Sequence, residues 1–371
     1  MKNEFYITVR ASNAQTPEDA IAACRQELEA SLKERGLDFT DVVFRRFFCS
    51  DVYHQTPLIK KLWPMPGQMD IHIGQQPLDS RFISVQAYAI KGLSSKKLLP
   101  DGSLLIQHGS FQSLWTLDYP AKAAPASVQT SEILDSCQQK LERQGMNFAD
   151  DVIRTWYYLR DIDNNYAGMI DSRVDRYESW GLTPDTHFIA STGIEGRSPW
   201  PHALVGLNAH AVKGLAPGQI TYLKALDHLS PTALYGVNFE RATKIDYGDR
   251  CHCHLSGTAS IDKDGMVLHQ GNVKAQAERT IENIQALLSE GGLDLEDMLA
   301  ATVYLRDSYA ISEVREFVKS SLPARCAVNF TCGAVCRPDW LIEIDGEAGK
   351  MQKTGFPDFL PVVSEFNGSI K

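Results

Sequence analysis

The chain states one phrase three times, and that triplication limits its fold more than any other feature. Glu18 to Asp51 reads as a helix, then Gly36-Leu37-Asp38-Phe39, then Asp41-Val42 and a strand closed by Asp51. Ser131 to Asp161 keeps the order, with Gly145-Met146-Asn147-Phe148, Asp151-Val152 and Tyr158-Leu159-Arg160-Asp161. Ala277 to Asp307 keeps it again, with Gly292-Leu293-Asp294-Leu295, Asp297-Met298 and Tyr304-Leu305-Arg306-Asp307. In each copy the first aspartate precedes the last by ten residues, so one structural unit is present three times. Each copy also ends on an alternating strand: Phe82 to Ile90, Ala203 to Val212, and Trp340 to Ala348. Where the third carries Glu343, the second has Gly206 and the first Ser84. Arg325 of Pro323-Ala324-Arg325 falls opposite Ser191-Thr192 of the second copy, and the first is too short to have a counterpart. One carboxylate and one guanidinium among three scaffolds predict one active site per chain.

Within a unit the order strand, strand, helix, strand, helix, strand, strand predicts an α+β layer with helices on one face of a mixed sheet. The opposite sheet faces need cover, and three units in one chain supply it by closing into a pseudo-trimer with clefts between them. The expected boundaries are 1–99 for a degenerate first unit and 100–236 for the second with its Gly214 to Gly236 linker. They continue with 237–350 for the catalytic unit and 351–371 for a polar tail that wraps the surface or frays. Helices are expected over Pro17 to Arg35, Tyr166 to Trp180 and Val273 to Gly291, where apolar residues recur at three and four. Pro64 to Asp79 reads as a loop.

Composition narrows the partners. A net charge of −9 with scattered Lys and Arg argues against nucleic acid, so an anionic small molecule must be drawn by a few local arginines. No apolar run approaches the roughly 20 residues of a membrane span, and Met1-Lys2-Asn3-Glu4 leads into a strand rather than a signal. Eight cysteines in a chain of 371 residues read as reduced thiols in the cytoplasm. A monomeric pseudo-trimer is expected. Cys251-His252-Cys253-His254 is no metal site: in a strand the thiols and imidazoles point apart, and no second pair lies at ligand spacing. Phosphate-loop, dinucleotide and Gly-x-Ser-x-Gly motifs are missing, so no cofactor is expected.

Glu343 shares its strand face with Leu341 and Asp345, opposite Ile342 and Ile344. In a cleft, desolvation favours its acid form, which suits a general acid near neutral pH. Arg325, after Pro323, fits a carboxylate bidentately. The alternative for it is half of a structural ion pair, with Glu343 itself as partner. Gly257, Thr258 and Ala259 form a turn after a strand, a plain turn or one whose N–H groups meet a ligand. Cys336 is a small buried apolar residue in its ordinary role. Tyr157 is a candidate pocket wall, although strand aromatics are usually core.

Ser256-Gly257, Gln276, Asn283-Ile284, Tyr304-Leu305-x-Asp307, Pro323-Ala324-Arg325 and Ile342-Glu343-Ile344 resemble the Rid (YjgF-like) pattern over about 110 residues. That resemblance implies a chorismate-mutase-like fold, with Arg325 on a substrate carboxylate and Glu343 positioning a water that hydrolyses imines. The longer chain resembles the chorismatases, which are chorismate hydrolases and hydroxybenzoate synthases. The residues that carry this are Phe239-x-Arg241-Ala242, Ser256 to Ile261, Thr155 to Ile162, Ser191 to Ile194, and Cys336 seven residues ahead of Glu343. The implied activity is release of pyruvate from chorismate, with Glu343 protonating the enolpyruvyl methylene. Chorismate has two carboxylates, so Arg160 and Arg173 of the second unit join Arg325 as expected clamps. A cysteine matching Cys336 takes part in the chemistry of the 3-hydroxybenzoate formers. Two alternatives stay open: a Rid-type enamine and imine deaminase, and a metabolite binder without catalysis.

Overall fold

The computed structural model describes residues 1–232 and 236–360. The first unit consists of β1 (Glu4–Arg10), α1 (Pro17–Glu34), β2 (Val42–Cys49), α2 (Val52–Leu62), β3 (Met69–Gly74) and β4 (Ile83–Ile90). The second begins with β5 (Ser95–Leu98), β6 (Leu104–His108), β7 (Phe111–Asp118) and α3 (Ala126–Glu142). It continues with α4 (Phe148–Asp151), β8 (Val152–Leu159), α5 (Ile162–Ser179), β9 (Ala190–Glu195) and β10 (Val205–Lys213). The third begins with β11 (Ile220–Leu223), β12 (Ala242–Asp246), β13 (Arg250–Ala259) and α6 (Val273–Glu290). It closes with β14 (Met298–Leu305), α7 (Ile311–Ser321), β15 (Ala327–Cys332) and β16 (Ile342–Met351).

The repeated phrase is a piece of backbone engineering. Gly36, Gly145 and Gly292 all stand at φ between +65° and +71°, the left-handed residue that ends each long helix. The next amide reaches back to the last turn: Leu37 to the Leu32 carbonyl, Met146 to Leu141 and Leu293 to Leu288, at 2.8–3.0 Å. One residue on, Asp38, Asn147 and Asp294 cap a single helical turn. Asp41, Asp151 and Asp297 return the bond to the capping residue's own N–H. The glycine and paired polar residues therefore turn a helix into a strand.

The strands form three mixed sheets, ordered β1-β4-β2-β3, β5-β6-β7-β10-β8-β9 and β11-β12-β13-β16-β14-β15. β2, β4 and β8 are buried along their whole length. One face of each sheet lies under its own helices, as with Val85, Ala87 and Ala89 beneath α1 and α2. The other face meets a neighbouring unit. Arg46, Arg154, Trp156 and Asp345 converge there, with the Arg46 and Arg154 guanidinium carbons 4.5 and 4.3 Å from the Trp156 ring. The expected α+β pseudo-trimer is what the chain folds into.

Several expectations move. Pro64 to Asp79 is not one loop, because β3 pairs parallel with β2 inside it. Pro100-Asp101-Gly102 is the hairpin turn between β5 and β6, not a junction, so the second sheet starts at Ser95 instead of residue 100. Likewise β11, inside the stretch read as linker, pairs with β12 of the third sheet. Gly257, Thr258 and Ala259 are no turn; they lie within β13, Gly257 inside a register shift between Leu255 and Thr258 and the other two just past it. The tail is anchored: Phe359 is buried against His108, with ring centroids 4.2 Å apart, and its N–H donates to Asp249 at 2.8 Å. Residues 361–371 of the expected tail lie outside the described residues.

Candidate active site

Strand register fixes the equivalence of the three carboxylate positions. Glu343 stands opposite Tyr304, Gly206 opposite Tyr158, and Ser84 opposite Phe48, each at the same step of its unit. In the first unit the place is closed, since the Ser84 hydroxyl is spent on Asn329 at 2.7 Å. In the second, a Cβ on Gly206 would come within 2.9 Å of the Tyr119 ring, which occupies the space a side chain would need. Only the third position opens into a cleft.

That cleft, about 700 Å³ including its mouth, lies between the second and third units. α5 contributes Tyr166 and Arg173, and β9 contributes Ser191 and Gly193. The segment entering β12 gives Val237, Phe239 and Arg241, and β13 gives Gly257, Ala259 and Ile261. Cys336, Arg337 and Trp340 close the side next to Glu343. The Glu343 carboxyl lies where a Cβ on Gly257 would sit, so the bare glycine backbone is what admits it.

Glu343 is 5% exposed, and its pKa is pushed up to about 8. Burial is the main cause and the Asp345 carboxylate the second, against the pull of Arg154 and Arg241. Asp345 is a hub. It accepts from the Thr192 hydroxyl at 2.9 Å, the Trp156 indole at 3.0 Å, Arg154 at 3.1 Å and the Tyr304 hydroxyl at 3.2 Å. Four donors thus converge on Asp345 and none of them reaches Glu343, whose carboxyl, with its pKa raised, holds its proton. Burial also raises the Cys336 thiol, to about 12, with the Glu343 charge adding to it. Cys336 therefore faces the cleft as a neutral thiol hydrogen-bonded to Tyr166.

Arg173 is 2% exposed and gives its Nε–H to the Asn238 side-chain oxygen at 2.7 Å. Among the described residues its Nη2 has no hydrogen-bond partner. Arg241 donates to the Ser230 carbonyl at 2.9 Å and lies over the Phe239 ring at 5.2 Å.

The structure thus brings together Glu343, Cys336, Arg173, Gly257 and Ala259. The other four candidates lie elsewhere. Arg325 is exposed beside Glu296, bonded to that residue's carbonyl. The reason is cyclic: β13 and β16 face β9 of the second unit, whereas β15, which follows Arg325, meets β4 of the first. The third unit lends this cleft Arg241 and Arg337, and the other cation on its wall, Arg173, comes from the second unit. Arg160 does belong to that unit, but its side chain caps the Pro201 carbonyl at 2.6 Å. Its backbone N–H goes to Leu204, as that of Arg306 goes to Leu341, so the Leu-Arg-Asp corner is architecture. Tyr157 lies beneath Arg173, its hydroxyl 3.1 Å from that of Tyr177, and Thr258 is turned to the Ser256 carbonyl at 3.1 Å. Tyr166, Arg337 and Trp340 were missed, and Arg241 was quoted only within a pattern. Each becomes a wall only when two units meet, which no local spacing reports.

Residues 245–349 match the Endoribonuclease L-PSP family. Over 100 residues the chain is 35% identical to a RutC family protein of Pyrococcus abyssi, a match spanning 26% of this chain and 76% of that protein. The chain belongs to the RutC family. Its RutC unit is the third, which carries Glu343. A longer match, 26% identical over 217 residues, covers 53% of this chain and 62% of the 3-hydroxybenzoate synthase of Streptomyces hygroscopicus. A crystal structure of a chorismatase superposes on 93% of this chain and 98% of its own, with a TM-score of 0.66 at 15% identity. The RutC unit is therefore the last third of a chorismatase fold.

Proposed function

We propose that the protein releases pyruvate from chorismate, with Glu343 as general acid. The observation that carries this reading is a buried carboxyl, neutral at physiological pH, in the same cleft as an arginine with an unsatisfied donor. Glu343 delivers its proton to the enolpyruvyl methylene, leaving an oxocarbenium ion at the ether carbon. Water adds to that carbon and gives up a proton to the Glu343 carboxylate. The resulting hemiketal breaks its bond to the ring oxygen, giving pyruvate and a dihydroxycyclohexadiene carboxylate. Arg173 holds one substrate carboxylate by a charge-assisted pair, and Arg241 faces the second. Cys336, a neutral thiol beside Glu343, directs the alternative route in which the ring aromatises to a hydroxybenzoate.

The likeness to a 3-hydroxybenzoate synthase and the chorismatase fold support this choice of substrate. The test is pyruvate release from chorismate, read with a lactate dehydrogenase couple and by chromatography of the aromatic products. Glu343→Gln is expected to lower turnover by about 10²- to 10⁴-fold, the usual worth of a general acid. Unchanged chorismate with wild-type protein would end the reading. Membership of the RutC family supports one rival, imine hydrolysis using the same Glu343. Ammonia release from a dehydroalanine-type imine, with chorismate inert, would put it first.

A further inference from the structure

We propose that Asn238, in the segment between β11 and β12 of the third unit, is a positioning residue that aims the carboxylate-binding edge of Arg173. The inference rests on the chorismate reading above and names what sets affinity for the substrate's charge. Asn238 is 5% exposed and touches Arg173 twice. Its side-chain oxygen accepts from Arg173 Nε at 2.7 Å, and its amide donates to the Arg173 carbonyl at 3.5 Å.

A guanidinium is a rigid plane with five donors, so fixing Nε fixes the direction of the whole fork. The Tyr157 and Tyr177 rings lie 5.5 and 5.8 Å from its central carbon and limit its other motions. What remains is Nη2, buried and, among the described residues, without a hydrogen-bond partner, on a residue that lines the cleft. A buried charged donor left unsatisfied is costly, and a ligand carboxylate relieves that cost.

The neutrality of Asn238 matters as much as its reach. Arg154, the second unit's other buried arginine near the cleft, is bridged to Asp345 at 3.1 Å, and its charge is answered inside the protein. Among the described residues, no carboxylate forms an ion pair with Arg173. An amide orients the guanidinium without cancelling it, so the full positive charge is kept for the ligand.

Chorismate kinetics and chorismate-induced thermal shifts on the full chain test this. Asn238→Leu is expected to raise KM about tenfold with kcat within about twofold, the signature of lost uniform binding. In an Arg173→Met background the same change is expected to do almost nothing, because the two act as one. Asn238→Asp, nearly isosteric and so able to fold, keeps the acceptor but sets a carboxylate against the guanidinium; its KM is expected to rise at least as far. An unchanged KM in either single variant, or an equal rise in the Arg173→Met background, overturns the proposal. If the wild type releases no pyruvate yet is stabilised by chorismate, the functional reading fails while the thermal shifts still decide the coupling. A wild type neither active on chorismate nor stabilised by it overturns both.

Discussion

Glu343 and Gly257 act as a pair at the residue scale. Because the carboxyl occupies the space above the Gly257 backbone, Gly257→Ala forces one of them to move. Overpacking of this kind costs about 1–3 kcal/mol, and here it also displaces the acid, so turnover should collapse while the protein remains folded. Circular dichroism melts and pyruvate release, measured together, check this. The pH behaviour follows from a pKa raised to about 8. The working form is protonated, so kcat should be level below neutrality and fall as pH rises through about 8. Linkage has the same sign. The folded protein binds this proton more tightly than the unfolded chain, so the stabilisation is fully present below about pH 4.5 and is lost as pH rises through about 8. Glu343→Gln should therefore unfold at a higher temperature than the wild type above pH 8 and lose that advantage in acid.

Among the elements, β16 carries both the acid and a charge that adds to burial in raising its pKa. Glu343 and Asp345 lie two residues apart on one face, the first toward the cleft and the second toward the junction of the units. Asp345→Asn should move the alkaline limb of the rate profile to lower pH, because a charge that raises the Glu343 pKa is gone. It should also cost about 3–5 kcal/mol, since Arg154 is left buried without its counter-ion; urea unfolding measures this. Elements with their own local grammar were legible in the sequence. α1 and α6 are expected from their apolar spacing and stop within a residue of the expected ends, and the glycine and aspartate signature marks each helix-to-strand turn. What escaped depends on partners far along the chain. β3 lies in a stretch rich in proline and glycine and is a strand only because β2 lies beside it. Gly257 reads as a turn residue until β16 pairs with β13 on either side of it, and Arg325 looked like the partner of Glu343 because both lie in one unit.

At the scale of the molecule, the ends of the chain and the joints between units hold the assembly. Phe359 wedges between His108 of the second unit and Tyr247 and His252 of the third, with centroids 4.2–5.0 Å apart. Phe359→Ala should lower stability by about 3–5 kcal/mol in calorimetry, although the residue touches nothing in the cleft. The threefold plan was readable because repetition survives divergence; which joint stayed open was not, since Tyr119, just after β7 of the second unit, and Asn329, from the third, close the other two positions. Both halves of the cleft are lined by one polypeptide. In an assembly of separate subunits such a crevice vanishes when the pieces drift apart on dilution. Here the short link of residues 214–219 between β10 and β11 holds the halves at a millimolar-scale effective concentration. Activity per molecule should thus hold constant down to the few copies that a scarce enzyme of a cell has.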